Sequence, residues 1–350
     1  MAKSKLMQDW LDKVIEAPID PAYPIIDPHH HLWLSSHRRE FGYPIDDLAR
    51  DTRLGHNILA TVFIQCTTMY RESGPEHLKP VGETEWIEAI SEDFDRSNPQ
   101  GPKLCTGIVG HVDFRLADHV DEALAAHKAV TPRFRGIRQG ASWSDDPEIV
   151  QNRVIPQRHL YMDPNFRKGF ARLAKHDLSF DAWLFHNQLD ELIDLARAFP
   201  DTQMVLDHIG APLGQGQWGS QREQVFADWK RSITELARLP NMHIKLGGTV
   251  MPMFGFQWES RPLPPSSDDL VKAVGHFFDA AIEAFTPARC MFESNFPVDK
   301  IACAYVPLWN SFKKVAAPYS AAEKAALFHG TAKRFYRLDG LAIPDATPAF

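Results

Sequence analysis

Short apolar runs alternate with amphipathic stretches along most of this chain. The runs are nearly continuous in apolar residues, which is typical of parallel strands buried on both faces. They predict eight strands, at residues 25–27, 58–65, 105–112, 134–139, 178–185, 203–207, 243–246 and 290–293. Helical spacing of apolar residues predicts helices between them, at 85–93, 118–129, 165–176, 189–198, 227–238 and 270–285.

Eight strands separated by helices predict an α/β fold, a (β/α)8 TIM barrel. A doubly wound open sheet is the alternative, because a strand pattern does not prove closure. We predict an N-terminal extension at 1–23, a barrel domain at 24–340 and a C-terminal tail at 341–350. Three irregular stretches, 141–163, 212–222 and 251–267, lie near predicted strand ends, where barrel loops form a substrate pocket.

Composition narrows the class of protein. The chain has 350 residues, 44% of them hydrophobic, and a net charge of −7 without a cluster of Lys and Arg, which argues against a nucleic-acid partner. The N-terminus carries no apolar signal region and no 18 apolar residues run together, so we expect a cytoplasmic protein without a membrane partner. The four cysteines are widely spaced, which predicts reduced packing residues in a reducing compartment. The oligomeric state stays open.

A triplet of histidines follows the first predicted strand. Residues 27–33 read D-P-H-H-H-L-W, and alternation along an extended backbone points His29 and His31 to one side and His30 to the other. Two convergent imidazoles suit a divalent cation such as zinc, with further ligands from distant parts of the chain. The alternatives are an expression tag or a surface cluster, but tags sit at termini.

In a barrel, the polar residues at the carboxyl ends of the strands face one mouth. Besides the first-strand pair, the residues at such positions are Arg138, Gln139, His186, Asp207, His208, Lys245, Glu293 and Asn295. A single histidine is more often a hydrogen-bonded structural residue. Four histidines at the ends of three strands favour a shared site.

The motifs in which these residues lie resemble those of a known family. They are the D-P-H-H-H-L-W stretch, F-R-G-I-R at 134–138, F-P-D at 199–201 leading into L-D-H-I-G at 206–210, I-K-L-G-G at 244–248 and R-C-M-F-E-S-N-F-P at 289–297. From about Pro24 to Leu338 the chain resembles the lactonase-like branch of the amidohydrolase superfamily, which includes fuconolactonase-like and 2-pyrone-4,6-dicarboxylate lactonase-like enzymes. The resemblance implies a (β/α)8 hydrolase with His29 and His31 on strand one and His208 on strand six. It also implies a final-strand carboxylate that handles the proton of water.

The last motif departs from that family. The family usually has S-D-W-P there, whereas this chain has S-N-F-P, with Asn295 in the place of the acid. An amide cannot accept a proton near neutral pH, so another residue must be the general base. Glu293, His186 and His208 are the alternatives, and we favour a histidine because a neutral imidazole is suited to accept a proton at pH 7.

We therefore expect a hydrolase that opens a lactone derived from a sugar acid or an aromatic-degradation intermediate. The expected catalytic residues are His29, His31, His186, His208 and Asn295. The expected ligands of zinc or another divalent cation are His29, His31, His186 and His208, although a mechanism without metal stays open. Arg138, Gln139 and Lys245 would bind a small anionic substrate, with a structural ion pair as the alternative role for Arg138. A non-oxidative decarboxylase of the same superfamily and a non-catalytic small-molecule-binding barrel are the alternative functions.

Overall fold

All eight strands of the protein run parallel and form one sheet in sequence order in the computed structural model, which describes residues 2–35, 41–149 and 156–350. The strands are β1 Pro24–His30, β2 Asn57–Ile64, β3 Lys103–Gly110, β4 Phe134–Arg138, β5 Ser179–Ala182, β6 Met204–Leu206, β7 Met242–Leu246 and β8 Cys290–Phe292. The sheet bends back on itself, since the backbone N–H of Asn295 donates to His29 O (2.9 Å) and that of His31 to Phe296 O (2.7 Å). The predicted barrel is confirmed, and the alternative prediction of an open sheet is wrong.

Helices occupy the connections between strands, and others precede β1 or follow β8. They are α1 Ala2–Leu11, α2 Ile45–Thr52, α3 Val81–Ser97, α4 Val120–Val130, α5 Pro164–Phe170, α6 Leu173–His176, α7 Leu189–Ala198, α8 Arg222–Ala237, α9 Ser267–Phe285, α10 Tyr305–Ala316, α11 Ala321–Ala325 and α12 Thr331–Phe335. The single helix predicted at 165–176 is two helices, because the chain turns at residues 171–172. Helix α10 was not predicted, because its first residues include Tyr305 and Val306, which favour strands, and Pro307, which usually breaks a helix. A helix tolerates proline in its first turn, where Pro307 lies.

Two apolar clusters divide the residues of the strands by face. One cluster joins the strands to the surrounding helices. The other contains alternate strand residues such as Ile26, Val62 and Val205, together with Phe335 and Tyr336 at the end of α12. The second cluster fills the barrel interior. Side chains that point inward further along the same strands lie at the candidate site described below.

Both terminal segments make contacts with the rest of the chain. The Glu16 carboxylate accepts hydrogen bonds from the N–H (2.7 Å) and hydroxyl (2.6 Å) of Ser267 at the start of α9. The Ala349 N–H donates to Asp20 (2.7 Å), and the Phe350 ring packs edge-on against Tyr23 at a centroid distance of 5.3 Å. The boundaries 1–23, 24–340 and 341–350 stay predictions.

Two further expectations concern loops and the membrane. Of the predicted pocket loop 141–163, residues 150–155 lie outside the described residues. Among the helices described, none combines the length and apolar character that a membrane crossing requires. All four cysteines, Cys66, Cys105, Cys290 and Cys303, are thiols in the structure.

Candidate active site

His29 and His31 meet at the end of β1. Their Nε2 atoms lie 3.3 Å apart, while His30 points the other way and its Nε2 lies 2.8 Å from the Thr61 hydroxyl. The predicted alternation is therefore present in the structure. His31 Nδ1 lies 2.7 Å from the backbone carbonyl of Ile64, so this nitrogen donates its proton and Nε2 is the side turned toward His29.

The two carboxylate oxygens of Glu293 lie beside two different histidines. Its Oε1 lies 2.6 Å from His208 Nδ1 and also accepts from the His208 N–H (3.1 Å), while its Oε2 lies 2.8 Å from His29 Nδ1. All three side chains are buried. Burial by itself raises the pKa of Glu293, but His208 and His29 together hold that pKa well below its usual range. Glu293 is therefore a carboxylate that keeps the proton of His208 on Nδ1, whereas His29 Nδ1 accepts a hydrogen bond from the Lys245 ammonium (3.0 Å).

A pair of glycines after β7 makes room for this contact. A Cβ at Gly247 would lie 2.5 Å from Glu293 Cγ, and one at Gly248 would lie 2.1 Å from His208 Nδ1. His208 itself adopts a left-handed backbone, with φ 53° and ψ 40°, which is rare for a residue with a side chain. Such conformations concentrate at functional sites, and here the turn directs the ring at Glu293.

Lys245 lies deeper, among carboxylates. Its Nζ donates to Asp181 Oδ2 (2.6 Å) and lies 3.0 Å from both Asp207 Oδ1 and His29 Nδ1. Burial lowers the pKa of Lys245, but Asp181, Asp207 and Glu293 outweigh that effect and raise it, so the ammonium stays charged. Lys245 is fully buried, and its ammonium balances the charge of these carboxylates.

Asp181 was missed by the sequence analysis. It is fully buried inside β5, where burial raises its pKa to about 6, and its Oδ2 also accepts from the Tyr336 hydroxyl (2.7 Å). The available signal was a lone acid inside the apolar run F-D-A-W-L-F, because a buried acid needs a partner. Tyr336 gave no such signal, since only the tertiary fold brings α12 to β5.

Arg138 and Gln139 point in different directions, as successive strand residues do. Arg138 NH1 lies 3.4 Å from His29 Nε2 and 3.5 Å from Asp207 Oδ2, and its NH2 donates to the Gln65 carbonyl. The Gln139 amide instead accepts from the Phe114 N–H (2.9 Å) and donates to Asp113 (2.9 Å). Arg138 thus joins the histidines, while Gln139 holds the loop after β3.

His186 has neighbours other than the three converging histidines. Its Nδ1 accepts a hydrogen bond from the Leu213 N–H (3.2 Å), and its ring packs edge-on against Trp218 at 5.0 Å. Burial lowers the pKa of His186 to about 4, so the ring is neutral at pH 7. The structure therefore brings together His29, His31 and His208, and gives His186 a separate set of contacts.

Asn295 donates from Nδ2 to Asp299 Oδ1 (2.8 Å), and both side chains are buried. Burial raises the pKa of Asp299 well above its ordinary value. The position that the family fills with an acid is thus occupied here by an amide that binds a second, buried acid. Its backbone N–H, which donates to His29 O, helps to close the barrel beside the histidine pair.

Two faces of His29 could take part in holding a divalent cation. On the Nδ1 face, ligand atoms of His29, His208 and Glu293 lie within 4.8 Å of one another, but the Lys245 ammonium already supplies positive charge there. On the Nε2 face, the 3.3 Å separation from His31 equals the roughly 3.3 Å expected for two nitrogens bound tetrahedrally at about 2.05 Å. The spacing of the two Nε2 atoms suits a zinc-type cation, but they are two ligands, and the Arg138 guanidinium lies 3.4 Å from His29 Nε2 on this face.

Comparisons with known proteins identify relatives of this chain. The chain is 32% identical over 333 residues, 90% of its length and 98% of the relative, to an uncharacterised protein of Sinorhizobium fredii. It is 33% identical over 233 residues to an L-fucono-1,5-lactonase of Burkholderia multivorans, covering 66% of this chain and 71% of that one. A solved amidohydrolase of Burkholderia multivorans with bound zinc superposes with a TM-score of 0.69 at 26% identity, over 89% of this chain and 99% of that one. Residues 26–338 match the amidohydrolase family model. The resemblance read from the strand-end motifs is therefore confirmed: the chain belongs to the amidohydrolase family and is a hydrolase.

Proposed function

We propose that the protein hydrolyses a lactone, with water as the nucleophile and His208 as the general base. The observation that carries this proposal is the 2.6 Å contact between Glu293 Oε1 and His208 Nδ1, next to the His29–His31 pair. It answers the question raised by Asn295, because a carboxylate-oriented imidazole can take the proton that an amide cannot.

In the proposed mechanism, Glu293 keeps the proton of His208 on Nδ1 and leaves Nε2 as the acceptor. His208 Nε2 removes a proton from water as the oxygen attacks the lactone carbonyl, and returns it to the ring oxygen when the ester bond breaks. The edge of Trp183 packs against the His208 ring at 4.8 Å and limits its rotation. General acid–base assistance of this kind contributes roughly 100- to 10,000-fold in rate.

His29 and His31 would hold a divalent cation through their Nε2 atoms. When bound, such an ion supplies Lewis-acid polarisation of a carbonyl oxygen. Burial and the neighbouring Lys245 ammonium keep the pKa of His29 well below its usual range, so the ring is neutral and free to act as a ligand at pH 7. The zinc in the solved relative supports this choice of ion.

The sugar-acid lactone as substrate class is supported by the L-fucono-1,5-lactonase relatives. Arg138 is the group proposed to face an anionic or carbonyl oxygen of the substrate, because its guanidinium lies beside His29 and is weakly engaged by Asp207. Lys245 would act indirectly, by holding Asp181 and Asp207 under His29. A cytoplasmic location stays a prediction.

The test is a panel of sugar-acid 1,5-lactones, aromatic-degradation lactones and aromatic carboxylic acids, with acid release and carbon dioxide release followed together. Acid release without carbon dioxide supports the proposal. Carbon dioxide release from an aromatic acid would support a decarboxylase instead, and binding without turnover would support a non-catalytic barrel. Elemental analysis and activity assays before and after chelation decide the role of metal. Stoichiometric zinc in the protein, with activity that is lost on chelation and restored by zinc, supports the ion. Full activity in the metal-free protein would mean that the histidines act without a metal.

A further inference from the structure

Three polar side chains converge on the surface, on elements that the proposed active site does not use. His77 lies in the short turn Glu76–Leu78, in the connection between β2 and α3. His119 ends the 3-10 segment Phe114–His119 in the connection after β3, and Glu122 lies in the first turn of α4. Two loops that follow neighbouring strands thus present their polar groups to one another.

We propose that His77, His119 and Glu122 form a surface site for a divalent transition-metal cation of the zinc type. Their ligand atoms all lie within 4.8 Å of one another. His77 Nε2 lies 2.8 Å from Glu122 Oε2, and His119 Nδ1 lies 3.8 Å from the same oxygen. Ligands of a tetrahedral zinc ion are roughly 3.3 Å apart, so shifts of less than about 1.5 Å complete the set.

The donor chemistry selects the class of ion. Two imidazoles and one carboxylate are a zinc-type ligand set, with water in the fourth position, whereas Ca²⁺ and Mg²⁺ require mostly oxygen ligands. The two imidazole rings are stacked, with centroids 4.4 Å apart and planes at 26°. The stacking places both imidazoles beside the same carboxylate, that of Glu122.

Neighbouring charges single out Glu122 among the acids of this region. Asp118 is paired with Lys168 on α5, and Asp121 with Arg172 in the turn before α6 and with His176 on α6. Within the described residues the ion pairs of Glu122 are with His77 and His119 alone. Its carboxylate is thus directed at the histidines rather than at a permanent cation.

One of the three side chains is mostly buried and the other two are exposed, which suits a binding site. The His77 side chain is 15% exposed, so its ring is held by packing, while His119 and Glu122 are 58% and 57% exposed. The fixed ligand provides a preformed anchor, and the two exposed ligands can close on an ion from solvent. A bound ion would tie the loop after β2 to the start of α4.

Zinc titration of the purified full-length protein tests this site. Zinc per chain is counted by elemental analysis after equilibrium dialysis against Zn²⁺, for wild type, His119→Ala and Glu122→Gln, with His176→Ala as the matched control. His176 also faces a carboxylate, that of Asp121, and among the described residues its ion pair is with that acid. We expect wild type and the control to bind one zinc equivalent more than the two site variants, or to bind it at least tenfold more tightly.

Thermal unfolding provides a second measure that does not depend on activity. An ion that binds only the folded chain raises Tm, so zinc should raise the Tm of wild type by more than that of His119→Ala. Identical titrations and identical zinc-induced shifts in wild type and both site variants would overturn the proposal. Because the site lies on other elements than His29 and His208, this result is independent of whether the lactone proposal holds.

Discussion

His208 and Glu293 are 85 positions apart in the chain, yet His208 Nδ1 lies 2.6 Å from Glu293 Oε1 in the interior of the barrel. The glycines at 247 and 248 permit this contact, because a side chain at either position would collide with one of the two partners. The same carboxylate reaches His29 Nδ1 through its other oxygen. One acid thereby lies beside two rings and sets the protonated nitrogen of His208.

Replacement of Glu293 by Gln should therefore reduce kcat by roughly 100- to 10,000-fold, because His208 loses the carboxylate that orients it and His29 loses a neighbouring negative charge. KM should change less, since Glu293 is buried beneath the rings. Steady-state kinetics on an active lactone measures both constants. A circular dichroism spectrum like that of wild type is the control for folding, and an unchanged kcat would remove Glu293 from the mechanism.

The variants Arg138→Lys and Arg138→Ala distinguish bidentate binding of the substrate by the guanidinium from an effect of its positive charge alone. The lysine keeps one positive charge but loses the planar pair of donors, so we expect it to lose most of what the alanine loses in kcat/KM, at least tenfold. Comparable activity of Arg138→Lys and wild type would instead favour the alternative of a structural ion pair with Asp207.

Much of this architecture follows from local patterns. Each strand is a distinct apolar run, and period-two alternation was sufficient to bring His29 and His31 together and to turn His30 away. His208 and Glu293 were recognised as strand-end residues, but their contact depends on barrel closure and on a left-handed turn, neither of which has a local pattern. His186 was grouped with the others because it also follows a strand. The short turn at His186–Gln188 gives it different neighbours.

Asn295→Asp tests the departure from the family motif. In the wild type, Asn295 Nδ2 donates to Asp299, whose pKa is raised by burial. The substitution places two buried carboxyl groups at hydrogen-bond distance, so one of them must keep a proton. At low pH the shared proton stabilises the pair, and that stability is lost as pH rises through the raised pKa.

We therefore expect Asn295→Asp to lose roughly 1–3 kcal/mol more of unfolding free energy than wild type between pH 5.5 and 8. Urea unfolding at the two pH values measures it. Equal pH dependence of the two proteins would show that the new carboxyl group does not share a proton with Asp299. Zinc affinity of the same variant tells whether a carboxylate at this position completes a metal site.

The buried His127 makes a separate prediction about stability and pH. Its ring lies 2.8 Å from the Thr84 hydroxyl and stacks on Phe134, and burial lowers its pKa to about 4. The unfolded chain binds a proton near pH 6.5 and the folded chain does not, so the contribution is complete above pH 6.5 and is lost as pH falls toward 4.

His127→Gln should accordingly flatten the dependence of unfolding free energy on pH by roughly 1.4 kcal/mol per pH unit between pH 6 and 4.5. The matched control is His159→Gln, because the side chain of His159 is 60% exposed. Urea unfolding across this range measures the slopes. An unchanged slope in His127→Gln would mean that the ring takes up a proton in the folded protein.

The most direct test of the proposed chemistry is the initial rate of acid release from a sugar-acid 1,5-lactone, compared in wild type, His208→Ala and His186→Ala. We predict that the wild type opens the lactone, that His208→Ala loses at least 100-fold in kcat, and that His186→Ala keeps most of its rate. Wild-type rates in His208→Ala would contradict the assignment of the general base, and no acid release by the wild type from any lactone tested would contradict the function itself.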